Sequence, residues 1–283
     1  MNVIRKCALL VMLALAANQG ANAIVNTLPQ TITFVDAFGE AYEAPYHPNW
    51  PRQDYDKNAF AHDGEQLFYQ GDDAYTSRLG IDVSYHQRAI DFQQVKEAGY
   101  EFVILRLGYR GYGSAGNICE DERFAEYVRG AQAAGLDIGV YFFSQAINEA
   151  EAVEEAEFCL QQLNRVGLTP DALTMPVVYD PESILDDEAR TDHVTGEQFT
   201  ANSVAFCERI QEAGYEPMIY ANMKWEAFLL DLSELEAYPF WYADYEPIPQ
   251  TPYAFTMWQY SNTASVPGVN GACDVDIQLI PVP

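Results

Sequence analysis

Lys96-Glu97-Ala98-Gly99-Tyr100 runs straight into Glu101-Phe102-Val103-Ile104-Leu105. Gln132-Ala133-Ala134-Gly135-Leu136 runs into Asp137-Ile138-Gly139-Val140-Tyr141, and Gln211-Glu212-Ala213-Gly214-Tyr215 into Glu216-Pro217-Met218-Ile219-Tyr220. Each time the phrase is the same: a helix end, a glycine free to take the left-handed conformation that closes a helix, then a short apolar strand. Strand after helix after strand, with connections this tight, predicts βα units and parallel strands.

The rest of the chain extends the pattern. Leu79 to Ser84 reads as a first strand and Ile90 to Ala98 as its helix; residues 120–134, 149–165 and 196–213 read as amphipathic helices, and Met175 to Glu182 as another strand. After Trp225 the helices fade. Phe240 to Tyr245, Ala254 to Ser261 and Cys273 to Leu279 read as strands joined by short, Pro-rich loops. The total is about eight strands, enough to close an α/β barrel filled by its own side chains, and this barrel is expected over residues 79–283. Residues 24–78 are rich in Tyr, Asp, Pro and Asn, with alternation at Thr31 to Val35 and Gln66 to Gln70, and predict a small β-type N-terminal extension.

Residues 1–23 stand apart. Arg5 and Lys6 precede an apolar run from Ala8 to Ala17, and Ala21-Asn22-Ala23 supplies small residues two apart. This is the pattern of a secretory signal peptide cleaved after Ala23. The run is far shorter than the roughly 20 residues a spanning helix needs, and Cys7 lies on the wrong side of it for a lipid anchor. The formal net charge is −27, with 42 acidic against 15 basic side chains. Such a balance disfavours nucleic acid or an anionic membrane as partner. An exported chain can form disulfides, and Cys119, Cys159, Cys207 and Cys273 allow three connectivities. Free buried thiols are the plain reading, and Cys159 with Cys207, on two predicted helices, is the pair to examine. With no C-x-x-C and only His47, His62, His86 and His193, neither metal nor cofactor is expected.

In parallel barrels reactive groups collect at the C-terminal ends of strands. There the sequence places Asp82 in Ile81-Asp82-Val83-Ser84, Asp180 and Glu182 in Val178-Tyr179-Asp180-Pro181-Glu182, and Asp274 and Asp276 in Cys273-Asp274-Val275-Asp276-Ile277. Alternation puts Val178, Asp180 and Glu182 on one face, and Asp274 with Asp276. Any single pair reads most simply as a solvated strand end; three acidic strand ends inside apolar runs do not. Clustered carboxyls suit glycosidic cleavage, where one group stays protonated and its neighbour ionised. Tyr109, Tyr141, Trp241, Tyr242, Trp258 and Tyr260 lie at or near strand ends, where aromatic faces can stack on sugars or simply fill a core. Tyr109, Tyr141, Trp241, Asp244 and Trp258 are the substrate-binding candidates. The Glu-rich stretch Glu149 to Glu157 reads as a solvated helix face, and Asp186 to His193 as an exposed loop.

At these residues the sequence resembles glycoside hydrolase family 25, the Chalaropsis-type lysozymes, over roughly 79–283. Gly80-Ile81-Asp82-Val83-Ser84 with Gln87 resembles that family's D-x-S-x-x-Q, Ile90-Asp91-Phe92 its I-D-W, and Pro176 to Glu182 its strand bearing D-x-E. Trp258-Gln259-Tyr260-Ser261 resembles W-Q-Y-S, Pro267-Gly268-Val269 resembles V-P-G-I, and Cys273-Asp274 falls where the family has V-D. The resemblance implies a flattened (β/α)5(β)3 TIM-like barrel that hydrolyses the β-1,4 bond from N-acetylmuramic acid to N-acetylglucosamine in peptidoglycan. It implies Glu182 as general acid, Asp180 orienting and polarising the sugar, and Asp82 and Asp274 completing the site, with Asp274 preferred to Asp276 for its spacing from Gly271. Either an acetamido group of the substrate or a directly activated water would complete the displacement. Pro181 stands where the family often has a large residue, so the strand is expected to end there. Phe142 replaces a histidine of many relatives, which removes a polar contact. The expected protein is a secreted or wall-associated monomer acting on glycan strands, with no wall-binding repeat after the last strand. Two other readings stay open: a wall-binding protein without turnover, and a metal-dependent hydrolase in which Asp82, Asp180, Glu182 and Asp274 hold a divalent cation.

Overall fold

The structure is a computed structural model and describes residues 30–70 and 73–282. The expected signal peptide and Cys7 lie outside the described residues. Barrel strands are β5 (Tyr75–Val83), β6 (Phe102–Arg110), β8 (Asp137–Ser144), β9 (Val177–Pro181), β10 (Pro217–Asn222), β11 (Phe240–Ala243), β12 (Met257–Ser265) and β13 (Ala272–Pro281). They pair in the order β5-β13-β12-β11-β10-β9-β8-β6, and β6 returns to β5, so the eight form a closed barrel. A short strand, β7 (Ile118–Glu120), hangs antiparallel on β6. Helices α1 (Phe92–Glu97), α2 (Phe124–Ala134), α3 (Glu149–Val166), α4 (Gly196–Glu212) and α5 (Met223–Phe228) follow β5, β7, β8, β9 and β10 in turn.

The repeated phrase folds as its chemistry requires. Gly99, Gly135 and Gly214 sit at φ 97°, 70° and 88°, in the region that glycine enters without a Cβ clash. The chain then turns directly into β6, β8 and β10. All barrel neighbours run parallel except β13, which is antiparallel to both β12 and β5. This departs from an all-parallel reading, and it puts the start of β13, not its end, at the mouth where β5 finishes. Residues 120–134 are not one helix: Ile118–Glu120 pairs with β6 instead, and α2 begins only at Phe124. Asp121, between them, is buried as the ion-pair partner of Arg106 at 2.8 Å.

Two layers of core follow from alternation. Outward-facing residues such as Val103, Leu105, Val140 and Tyr179 pack under the helices. Inward-facing Phe102, Ile104, Met175, Val178, Met218, Trp241 and Met257 fill the lumen. Gly80 faces the lumen, where an added Cβ would lie 2.1 Å from the Phe102 ring. Phe142 belongs to the outer layer, its ring 6.1 Å from Phe158 of α3, so the loss of a histidine there removes no contact inside the barrel. The Glu149–Glu157 stretch is only partly a solvated face. Glu155 is fully buried and pairs with Arg110 at 2.7 Å, and Glu151 accepts both Nη atoms of Arg190 at 2.8 Å, tying the 183–195 loop to α3. Cys119, Cys159, Cys207 and Cys273 are all free thiols.

The extension is two hairpins docked on the barrel. Strands β1 (Thr31–Val35) and β2 (Ala41–Pro45) form one; β3 (Phe60–Asp63) and β4 (Gln66–Tyr69) form the other. Phe60 sets its ring edge-on to Trp258 at 5.3 Å, and Val35 exchanges two 2.8 Å hydrogen bonds with the Gln250 side chain.

Candidate active site

Strand register assembles the acids. Asp82 on β5 pairs across to Asp274 on β13, and Asp276, two residues on, lies opposite Gly80 and Gln259. On the far side Tyr109, Phe143 and Asp180 stand in register across β6, β8 and β9, with Arg106, Tyr141 and Val178 one layer below. Val178 faces the lumen, so Asp180 faces it too. β9 stops at Pro181, as its fixed φ and missing N–H require. Glu182 follows just beyond the strand, its carbonyl held by Gln145 Nε2 at 2.7 Å. Five carboxyls therefore share one mouth: Asp82, Asp180, Glu182, Asp274 and Asp276.

So many acids in a dry site cannot all be ionised. Burial, then the charges of Asp274 and Asp276, drive Asp82 well above the usual carboxylate range. Burial and the neighbouring Glu182 do the same to Asp180, with the Arg106 charge opposing. Burial lifts Asp276, against a hydrogen bond from Trp241 Nε1 at 2.9 Å. Glu182 is pushed up to about 7 by burial; the Tyr220 hydroxyl holds it down and Asp274 pushes it further up. Asp274 also reaches about 7 through burial. A carboxyl near 7 beside others that hold their protons is a proton donor poised at neutral pH.

The polar surroundings orient these groups. Gln259 Nε2 donates to Asp82 Oδ2 at 2.7 Å, while its Oε1 accepts the hydroxyls of Tyr220 and Tyr245, each at 3.0 Å. Ser84 and Gln87 form a capping box around the turn that leaves β5, with Ser84 N donating to Gln87 Oε1 at 3.0 Å. Asp91 caps α1 through the backbone N–H groups of Gln93 and Gln94. Arg106 lies under the mouth, bound to Asp121, with its guanidinium 5.0 Å from the Tyr85 ring and 5.4 Å from Tyr109. Asp180 Oδ1, Asp276 Oδ2 and Arg106 Nη2 are buried without a hydrogen-bond partner. Among the described residues, no group of three or more His, Cys, Asp or Glu side chains could hold a metal ion.

The acids singled out in the sequence come together; the substrate-binding candidates divide. Tyr141, half-buried, joins the cluster, its ring 6.1 Å from Trp241, and Tyr109 stands at the mouth beside Arg106. Trp241 is only 1% exposed and lies in the lumen beneath the acids, its indole spent on Asp276. Trp258 faces the other way, into the outer core under Phe60, with Nε1 donating to the Asp244 carbonyl at 2.7 Å. Asp244 lines the groove beside Glu182, yet its carboxylate already accepts from Tyr242, Glu246 N and twice from Gln250. Arg106, Gln259, Tyr220 and Tyr245 escape the sequence reading. Arg106 carries the clearest signal, a lone cation inside the apolar run Phe102 to Leu107.

Residues 81–269 match the family described as Glycosyl hydrolases family 25. The chain is 26% identical over 198 residues to the Autolytic lysozyme of Clostridium acetobutylicum, a match covering 70% of this chain and 54% of that protein. It is 29% identical over 203 residues to Lysozyme M1 of Streptomyces globisporus, covering 70% of this chain and 65% of that one. This chain thus spans less than two thirds of the length of either relative. Among solved structures, a family GH25 lysozyme from Aspergillus fumigatus shares the fold with a TM-score of 0.57 at 24% identity, covering 72% of this chain and 94% of that one. Strands β1 to β4 lie ahead of the residues matched by the family.

Proposed function

We propose a muramidase: the chain belongs to the Glycosyl hydrolases family 25, and its mouth carries the acids that glycosidic cleavage needs. The substrate is peptidoglycan, and the bond is the β-1,4 link from N-acetylmuramic acid to N-acetylglucosamine. The observation that carries this reading is Glu182, raised to about 7 at the rim of a cluster of buried carboxyls. Glu182 protonates the oxygen of the leaving sugar. Asp180, with one oxygen free of protein partners, orients and polarises the reacting sugar. Asp82 and Asp274 complete the acidic wall, fixed by Gln259 and by their pairing across β5 and β13. Arg106 Nη2, buried and unpaired, suits a carbonyl or hydroxyl of the bound sugar. In this reading the protein is exported, works as a monomer on glycan strands at the cell wall, and needs no metal.

Borohydride reduction of the digestion products names the bond. New ends recovered as muramitol support the assignment, whereas new ends recovered only as glucosaminitol overturn it. The anomer first released tells whether the substrate's acetamido group or a water completes the displacement.

A further inference from the structure

Three large apolar side chains that stand in solvent converge on one place. Phe38 is 74% exposed, Leu185 68% and Phe228 49%, and all three line a single groove of about 640 Å³ that Glu182, Tyr220 and Tyr245 also line. The groove is therefore continuous with the acid cluster, and its far wall is the tip of the β1–β2 hairpin, which precedes the family match.

That wall is held in place. Gln250 clamps both backbone groups of Val35 and is itself bound by Asp244 through its N–H and its side-chain amide, at 2.9 and 3.0 Å. Phe34 packs its ring 5.4 Å from Tyr42 and 6.1 Å from Phe228, fixing the hairpin on α5. Asp36 Oδ1 accepts from the N–H groups of Phe38 and Glu40, shaping the turn so that Phe38 projects. An exposed phenylalanine on a fixed turn beside a catalytic mouth is a surface prepared for a ligand.

Charge indicates which part of the substrate it meets. Lys224 is already engaged, 3.1 Å from the Tyr42 hydroxyl and 3.5 Å from Asp36 Oδ2, and the other ionisable acids and bases of the lining, Asp36, Glu182, Asp244 and Glu246, are acidic. The carboxylates of a stem peptide find repulsion here, whereas neutral N-acetylated sugars offer apolar ring faces to Phe38 and Phe228. We propose that the β1–β2 hairpin is a glycan-binding wall, with Phe38 and Phe228 as platforms for a sugar ring beyond those joined at the cleaved bond. This rests on the muramidase reading and extends it: the extension sets a preference for long strands.

The test uses the full chain carrying Glu182→Gln, so that glycan is bound and not turned over. Glycan strands stripped of stem peptides, their freed lactyl carboxyls capped as neutral amides, are separated by length and titrated by calorimetry. Phe38→Ala is expected to weaken binding of long strands by about fivefold, the worth of one aromatic platform, and to leave disaccharide binding as it was. Gln250→Leu, outside the groove, should reproduce that loss by releasing the hairpin, while Val282→Ala, an exposed apolar residue elsewhere, should not. Equal affinity of Phe38→Ala and its parent for long strands overturns the proposal, as does a loss of the same size for the disaccharide. A loss that appears only when stem peptides are present overturns the sugar assignment. Failure of every form, the parent included, to bind any glycan overturns the muramidase reading, and with it the subsite.

Discussion

Tyr220→Phe removes one oxygen atom from the site and should move the pH dependence in a defined direction. The Tyr220 hydroxyl donates to Gln259 Oε1 at 3.0 Å and is the neighbour that holds Glu182 down against burial. A hydrogen bond to a charged group contributes about 1.5–3 kcal/mol. Its single proton is drawn to Gln259 as well, so about half of that falls on Glu182, which is roughly one pH unit. Glu182 acts protonated, and activity is lost as pH rises through its pKa. The alkaline limb of kcat/KM should therefore lie near pH 7 in the parent, where Glu182 is raised to about 7, and move up by roughly one unit in Tyr220→Phe. Gln259 keeps the Tyr245 hydroxyl and its bond to Asp82, so the fold should lose only about 1 kcal/mol. Initial rates of reducing-end release from purified peptidoglycan, from pH 5 to 9, supply the profile. A limb that stays in place, or moves down, would refute the assignment of this limb to Glu182 and the role given to Tyr220.

Stability should fall with rising pH above mild acidity. Asp82, Asp180, Asp276, Glu182, Asp274 and Glu226, the last pushed to about 8, all hold protons in the fold that the unfolded chain releases near pH 4. The folded state thus binds more protons between roughly pH 4 and 8, and Tm should be higher at pH 5 than at pH 8. Below about pH 4 the lowered carboxyls Asp36 and Glu151 are protonated and their stabilising contribution is lost. Glu226→Gln removes one raised acid and should gain about 3 kcal/mol at pH 8 relative to pH 5; a Tm that climbs steadily from pH 5 to 8 would contradict both expectations. Trp258→Phe deletes a buried N–H bonded to the Asp244 carbonyl and should lower stability by about 1–2 kcal/mol without raising KM. A raised KM at unchanged Tm would place Trp258 against the sugar instead.

Most of the barrel is legible in the sequence because its signals are local. A helix end, a glycine at positive φ and an apolar run lie within ten residues of one another around Gly99, Gly135 and Gly214, and alternation puts Asp180 in the lumen once Val178 is there. The direction of β13 is not local. Its antiparallel course depends on the 266–271 turn and on pairing with β5, two hundred residues away in sequence, and no run of residues within Cys273 to Leu279 records it. The same limit applies to the aromatics. Trp241 and Trp258 each stand second in their strands, and which fills the lumen and which packs under the extension is decided by register and by the docking of Phe60. Asp244 looks like a sixth acid until the 245–250 loop folds back and saturates it. Glu155, within a run of glutamates, is buried only because Arg110 reaches it from β6.

The central claim is that Glu182 supplies the proton to the glycosidic oxygen of peptidoglycan. Wild-type and Glu182→Gln proteins, compared for reducing-end release from purified peptidoglycan at pH 6 with EDTA present, test it most directly. Release of muramic acid ends by the wild type, reduced about a hundredfold or more in Glu182→Gln with Tm preserved, is the expected result. Equal release by both proteins, or release that EDTA abolishes, would contradict it.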